Sequence, residues 1–296
     1  MHLPPIARLT ASRDLNAAPT ILPYTPPSHN PRTCTPVQNY IEDVLVPSRL
    51  TVYQMEETYG HLHRIRLVRL SNGSSLVLKV SPPPATPLLR HECYSLESEA
   101  IAFSLLAKSS LPVPRVLRHD ARCIHIGSPF LLTTHLSGIP YANVRQYLTR
   151  SERAGIERQL RSLTGVISQH TSSIYGPYGP VSLVASNQGH KGWREAFVAM
   201  LESVLMDGED MMVSLPYLQI REHVLRTKNT LDSVKEARLV VLGFGQAENI
   251  LIDRRTNEVT GLLDFGRAIW GDWEMGDLDQ RKGTKGLLYV LVDISR

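Results

Sequence analysis

The chain has 296 residues, of which 42% are hydrophobic, and a formal net charge of +4 at pH 7. This length and apolar content allow one large domain or two modest ones with a buried core. The basic surplus is scattered rather than gathered into a Lys/Arg block, which argues against a nucleic-acid-binding protein, and no apolar run reaches the roughly 18 residues of a membrane span.

The N-terminal segment is predicted to be a flexible tail. Residues 1 to 36 contain eight prolines and three arginines but a single acidic residue, Asp14. A helix is expected from Val37 to Leu45, because Thr35 and Pro36 are favourable at a helix cap and first turn. The three cysteines are widely spaced and form no metal-binding motif, which favours free thiols in a reducing, cytoplasmic location.

The next segments predict a sheet with one helix. A polar turn at Ser71 to Gly73 precedes Leu76 to Val80, an apolar strand interrupted by Lys79. Leu96 to Leu106 has the apolar spacing of a helix, with Glu99 beside the apolar face. Pro129 to Gly138 predicts a buried strand that runs into a turn. Upstream, His61 and His63 are two residues apart, which indicates a polar strand face rather than a zinc site.

The following part of the chain is predicted to be mainly helical. Apolar residues recur at helical spacing in three stretches, namely Arg153 to His170, Trp193 to Met206 and Leu215 to Leu231. A further predicted helix, Gly286 to Ile294, reaches almost to the last residue, so we expect a C-terminal part that is shortened.

The most informative segment lies between Arg238 and Arg267. Two β-rich runs, Ile250 to Ile252 and Val259 to Leu263, flank a polar stretch and predict a hairpin. Asn249 opens the first strand and Asp264 closes the second, so the hairpin brings an amide oxygen and a carboxylate to one point. Such oxygen ligands suit Mg²⁺, whose coordination shell is commonly completed by substrate phosphates.

These motifs resemble those of the aminoglycoside phosphotransferase and choline kinase-like family, in particular its fungal members of unassigned substrate. The resemblance covers roughly residues 45 to 285 and includes Asn249, the hairpin and Asp264-Phe265-Gly266. It implies an α+β, protein-kinase-like fold of two lobes. The N-terminal lobe, 37–134, would contain an antiparallel sheet and a helix, and the C-terminal lobe, 135–296, would be mainly helical.

The resemblance also implies a site for ATP and Mg²⁺. Lys79 would hold the nucleotide phosphates and Glu99 would fix Lys79, with Glu92 and Glu97 as competing candidates. The backbone from Thr134 to Leu136 would bind the adenine edge, and Asn249 and Asp264 would hold Mg²⁺. A further expectation is that Glu56 to His61 forms the phosphate-covering loop. It contains a single glycine, Gly60, and is therefore weak evidence for such a loop.

One departure bears on activity. The family's His-Gly-Asp motif falls on Leu242, Gly243 and Phe244, so no residue is assigned as the catalytic carboxylate, and Glu248 is the nearest substitute in sequence. If Phe244 occupies the base position, its ring should lie at the cleft floor; otherwise it is a core residue. Two functions stay open, namely a weak ATP-dependent kinase of a small-molecule hydroxyl or amine, and an inactive pseudokinase that serves as a nucleotide-binding or scaffold module.

Overall fold

A five-stranded antiparallel sheet organises the first part of the computed structural model, which describes residues 36–45, 49–60, 62–83, 85–177 and 189–276. Its spatial order is β1-β2-β3-β5-β4. The strands are β1 (Val52–Tyr59), β2 (Arg64–Leu70), β3 (Ser75–Val80), β4 (Val116–Asp120) and β5 (Phe130–Thr134). The predicted turn before Leu76 is confirmed, since the Gly73 N–H donates to the Leu70 carbonyl and closes the β2–β3 hairpin.

Two helices cover this sheet. Helix α1 (Pro36–Leu45) buries Ile41 and Leu45 in an apolar cluster with Val68 and Leu78 of the strands. Helix α2 (Ser95–Leu106) packs Leu96 and Ala100 on Leu131 of strand β5. The apolar face predicted for α2 is buried as expected, and Glu99 is buried with it. This placement brings the Glu99 carboxylate against strand β3 of the sheet.

The second part of the structure combines helices with short strands. The helices are α3 (Tyr141–Val144), α4 (Arg150–Ile167), α5 (Trp193–Asp210) and α6 (Tyr217–Thr227), the last followed by a 3₁₀ turn, Lys228–Ser233. The strands are β6 (Ile139–Pro140), β7 (Thr171–Ser172), β8 (Gly176–Pro177), β9 (Ala237–Val241), β10 (Ile250–Ile252), β11 (Val259–Leu262) and β12 (Ala268–Gly271). They form two sheets, ordered β11-β10-β6 and β7-β9-β12-β8.

The core of this part lies where α2, α5 and the β9–β12 pair meet. Trp193, Phe197 and Phe265 are fully buried there. The result is the two-lobe α+β architecture that the resemblance implied. Within the described ranges no helix is long and apolar enough to cross a bilayer. Residues 1–35 and the predicted helix from 286 to 294 lie outside the described residues.

Candidate active site

Lys79 and Glu99 form the centre of the candidate site. Lys79 lies on β3 between its register partners Ile65 of β2 and Leu131 of β5, in the middle of the sheet. Its Nζ donates to both carboxylate oxygens of Glu99, at 2.6 Å and 2.8 Å. Of the three glutamates considered from the sequence, Glu99 is the one that pairs with Lys79. Glu92 instead accepts a hydrogen bond from the Leu89 N–H at 2.8 Å.

The charge of Asp264 acts on this pair. Burial alone would lower the pKa of Lys79, but Glu99 and Asp264 raise it, and the net direction is upward. The pKa of Glu99 is raised, first by burial and also by Asp264, although Lys79 opposes this. The cleft therefore holds a lysine ammonium that stays charged at neutral pH, with two acidic groups around it.

The predicted hairpin forms and brings Asn249 to Asp264. Strands β10 and β11 pair Ile250 with Leu262, and the Leu263 N–H donates to the Asn249 carbonyl at 2.8 Å. The Asn249 Nδ2 donates to Asp264 Oδ2 at 3.3 Å. Asp264 has a left-handed backbone, with φ of 61°. Such a conformation is uncommon for a residue with a side chain and clusters at functional sites.

The donor set at this point fits Mg²⁺. The Asn249 amide nitrogen also donates to Gln246 Oε1 at 3.3 Å, so within the Asn249 side chain only Oδ1 could serve as a metal ligand. Among the described residues no cluster of three or more His, Cys, Asp or Glu side chains could hold a metal. Two protein oxygens with a shell completed by phosphate and water match the usual coordination of Mg²⁺ rather than that of zinc.

Phe244 packs into the core of the second lobe. Its ring meets the buried Phe265 ring edge-on, with centroids 6.4 Å apart. It also lines a small cavity with Thr164 and Ile167 of α4. Gly243 and Gly245 on either side have left-handed φ values of 79° and 89°, which a residue with a side chain rarely adopts. These contacts favour the interpretation of Phe244 as a core residue. Glu248, the substitute considered from the sequence, is exposed.

The loop predicted to cover the phosphates differs from expectation. Glu56 and Glu57 belong to β1, where they form ion pairs with Arg69 and Arg66 of β2. Cross-strand pairing of opposite charges extends the hairpin, so the connection begins only after Tyr59. The expectation that the loop begins at Glu56 is therefore wrong.

The segment predicted to bind adenine, Thr134 to Leu136, begins at the last residue of β5. The Thr134 N–H donates to the Arg115 carbonyl at 2.9 Å, and the Thr134 hydroxyl accepts from the Arg115 N–H at 2.9 Å. The Thr134 amide is thus already engaged within the protein. Recognition of adenine by the Thr134 carbonyl or by the backbone of Leu136 stays a prediction.

His63 is a site residue that the sequence did not reveal. Its Nε2 lies 2.9 Å from Ser95 Oγ at the start of α2, and its Nδ1 is buried with no hydrogen-bond partner among the described residues. Burial, followed by the charge of Lys79, lowers the pKa of His63 to about 4, while Asp264 opposes the shift. The ring is therefore neutral at physiological pH. The sequence predicted a polar strand face for His61 and His63. For His63 this is wrong, because it lies in a bend just before β2 and its ring is partly buried, and His61 lies outside the described residues.

A cavity of about 280 Å³ lies beside the hairpin end, between α5, the start of α2 and β12. Gly266 and Arg267, which directly follow Asp264 and Phe265, line it. Its walls are largely apolar, with Met200, Val204 and Leu242 among them. The described residues that line it include no Asp or Glu. Its volume is near the lower end of typical small-molecule sites.

The comparisons with known proteins agree with this geometry. The family model described as "Phosphotransferase enzyme family" matches residues 60–275. A thermostable mutant of aminoglycoside phosphotransferase APH(4)-Ia, solved with AMP-PNP and hygromycin B, has a TM-score of 0.63 at 17% identity, and the match covers 88% of each chain. Macrolide 2'-phosphotransferase MphH from Brachybacterium faecium has a TM-score of 0.50 at 13% identity, with 87% of this chain and 83% of that chain covered. At these identities the solved structures show a shared fold.

Proposed function

Because the chain belongs to the phosphotransferase enzyme family, we propose that it binds ATP with Mg²⁺ and transfers the γ-phosphate to a hydroxyl or amine of a small molecule. The observation that carries this proposal is the Lys79–Glu99 ion pair, placed within electrostatic reach of Asp264 and, through Asp264, beside Asn249. These four side chains combine a fixed cation for phosphate with two oxygen ligands for a metal.

Each of these residues has a distinct role in the proposed reaction. Lys79 binds the α- and β-phosphates, and Glu99 holds the lysine ammonium in place. Asn249 and Asp264 would hold Mg²⁺, which neutralises phosphate charge when bound. The acceptor oxygen or nitrogen forms a bond to the γ-phosphorus while the bond from that phosphorus to the β-phosphate oxygen breaks, and ADP leaves. Positioning and charge neutralisation supply most of the catalysis in such transfers.

The packing of Phe244 supports slow transfer. A positioned general base contributes typically about 10² to 10⁴-fold to a rate. Phe244 has no group that accepts a proton, so the acceptor proton passes to solvent or to a phosphate oxygen. The same observation supports a second function, a pseudokinase that binds nucleotide without turnover. The two differ in whether acceptor-dependent ADP formation is measurable.

The cavity beside Gly266 is the proposed acceptor site. It adjoins the segment that carries Asp264, and its described walls offer apolar contact and no carboxylate. Arg90, which also lines it, is paired with Asp207 and Asp210 of α5. A polycationic acceptor would lose hydration there without gaining a counter-charge. An apolar alcohol or amine, or an anionic one, fits these walls better.

Ligand-dependent stability and ADP formation test the proposal. Mg²⁺-ATP at a hundredfold excess over Kd should stabilise the wild type by about 2.7 kcal/mol. Lys79→Met should abolish this effect, whereas Lys108→Met, at an exposed position, should preserve it. A wild type that binds Mg²⁺-ATP but forms no ADP with any acceptor in a broad screen would favour the pseudokinase. A folded wild type with no response to Mg²⁺-ATP would refute both functions.

A further inference from the structure

The cavity beside Gly266 has two unlike walls. One wall is a stripe of α5, here called the α5 stripe, whose members recur at helical spacing and are mostly small or apolar: Ala196, Ala199, Met200, Ser203 and Val204. The opposite wall comes from the segment before α2 and the first turn of that helix, with His91, Tyr94 and Ser98. A ligand between the walls therefore meets an apolar surface on one side and hydrogen-bonding groups on the other.

Neighbours of both acidic site residues border this cavity. Ser98 directly precedes Glu99 on α2, and Gly266 follows Asp264 and Phe265. Gly266 packs closely on the start of α2, since a Cβ at this position would lie 3.1 Å from Ser95 Cβ and 3.2 Å from the Ser95 carbonyl oxygen. A molecule in the cavity therefore lies next to the segment that carries Asp264, as an acceptor of the γ-phosphate must.

The charged groups around the cavity balance one another. The Arg90 guanidinium binds Asp207 and donates to Asp210 Oδ2 at 2.7 Å, and the Arg90 N–H donates to Asp207 Oδ2 at 3.0 Å. Arg267 also lines the cavity, so the formal charges of these two arginines and two aspartates cancel. A charged acceptor of either sign would lose hydration and would meet a like charge as well as an opposite one.

His91 contributes hydrogen-bonding groups but no charge. Burial, followed by the charge of Arg267, lowers the pKa of His91, while Glu92 and Asp207 oppose the shift. The ring is therefore neutral at physiological pH, and a neutral imidazole has one donor and one acceptor nitrogen. Within the described part of the chain no residue forms a hydrogen bond with this ring. His91 is thus able to bind an uncharged polar group of a ligand.

We propose that the cavity selects a compact, uncharged acceptor, namely an apolar alcohol whose body lies on the α5 stripe and whose second polar group, a hydroxyl or carbonyl, hydrogen-bonds to His91. The first hydroxyl faces the segment of Asp264 and receives the γ-phosphate. This narrows the acceptors proposed above, because an apolar amine is protonated at neutral pH and an acid is ionised. The inference rests on the proposed function, since it requires that this cavity is the acceptor site.

Three matched probes test the preference for an uncharged acceptor. They share a compact naphthalene body with a hydroxymethyl group at one end, and carry at the other end a second hydroxymethyl group, an aminomethyl group or a carboxylate. Their affinities are measured by isothermal titration calorimetry on the full chain without nucleotide. We expect the neutral diol to bind about tenfold more tightly than either charged probe. A charged probe that binds as tightly as the diol would overturn the proposal.

Substitutions in each wall locate the bound diol. Ala199→Phe puts a ring into the cavity from an exposed position and should weaken diol binding at least about tenfold. The same change at the exposed Ala107, which follows α2 and does not line the cavity, is the matched control.

His91→Phe keeps a ring but removes its hydrogen-bonding nitrogens. It should weaken diol binding about fivefold and leave the affinity for naphthalenemethanol, which lacks the second hydroxyl, unchanged. His91→Gln retains a donor and an acceptor and should stay within about twofold of wild type. Parallel losses for the diol and naphthalenemethanol would assign His91 to packing and overturn its role.

The possible outcomes separate this inference from the proposed function. A wild type that binds Mg²⁺-ATP but none of the three probes overturns this inference alone. Folded Ala199→Phe that binds the diol as tightly as wild type shows that the diol binds elsewhere, and also overturns it. A folded wild type that does not bind Mg²⁺-ATP overturns the proposed function and, with it, the assignment of the diol as an acceptor.

Discussion

Replacement of Phe244 by Asp restores the acidic residue of the family motif and separates two interpretations of this position. The structure predicts loss of stability without gain of activity. Truncation of a fully buried Phe to Ala costs about 3 to 5 kcal/mol, and the partly buried Phe244 should contribute roughly half of that. Placing a carboxylate against Phe265 adds about 1 to 3 kcal/mol. The sum, about 2.5 to 5.5 kcal/mol, is a large part of a typical free energy of unfolding.

Thermal and urea unfolding measure this effect, with ADP formation as the parallel assay. We expect Phe244→Asp to lower the Tm by on the order of 10 °C. The control Phe244→Leu, which keeps an apolar side chain, should lower it by only a few degrees. If Phe244→Asp keeps the wild-type Tm and forms ADP faster, the position faces the cleft and the core-packing interpretation is wrong.

Three further predictions concern the Lys79–Glu99 pair, the start of α4 and His63. Glu99→Ala should destabilise the fold by about 3 to 5 kcal/mol in urea unfolding, because it leaves the Lys79 ammonium buried without its partner. The double variant Lys79→Met, Glu99→Leu should recover most of this stability but should not bind Mg²⁺-ATP. Thr149→Ala, which removes the capping box of α4, should cost about 1 kcal/mol with no change in nucleotide affinity. The pKa of His63 is depressed to about 4, so the unfolded chain takes up this proton before the folded one does, and the stability present above pH 6.5 is lost progressively as the pH falls from 6.5 through 4. Between pH 7.5 and pH 4.5 the wild type should therefore lose about 2 kcal/mol more in urea unfolding than His63→Asn; equal losses would refute the assigned pKa.

Local features of the fold were predictable where neighbouring residues determine them. The hairpin from Ile250 to Leu262 forms because its β-rich runs and polar turn lie within a dozen residues. The start of α4 was also encoded locally. The helix begins at Arg150, three residues before the predicted Arg153, because Thr149 and Glu152 form a capping box whose Thr-x-x-Glu pattern is visible in the sequence.

Other features depend on residues that are distant in sequence. Helix α5 continues past the predicted Met206 to Asp210, and the Arg90 guanidinium binds both Asp207 and Asp210 from a loop before α2. No residue pattern within the helix predicts that Arg90 binds it. In the same way, the choice of Glu99 from three nearby glutamates depends on how α2 packs on the sheet, and the resemblance to a family rather than the residue spacing indicated it.

The orientation of individual side chains was the least predictable. The motif placed Phe244 at the position of a carboxylate, but its ring direction depends on the left-handed turn around it and on Phe265. His63 carried no signal of its own beyond strand alternation. Its unpaired Nδ1 is visible only when the hydrogen bonds of Ser95 and Glu92 are known.

The central claim is that Asp264 and Asn249 hold Mg²⁺ against ATP phosphates bound by Lys79. Calorimetric titration of ATP with and without Mg²⁺, on the wild type and on Asp264→Asn, measures this directly. We expect Mg²⁺ to tighten ATP binding to the wild type at least tenfold, and to have little effect on Asp264→Asn, which keeps the size of the side chain but removes its charge. ATP binding that gains nothing from Mg²⁺ in the wild type, or gains equally in Asp264→Asn, would contradict the account.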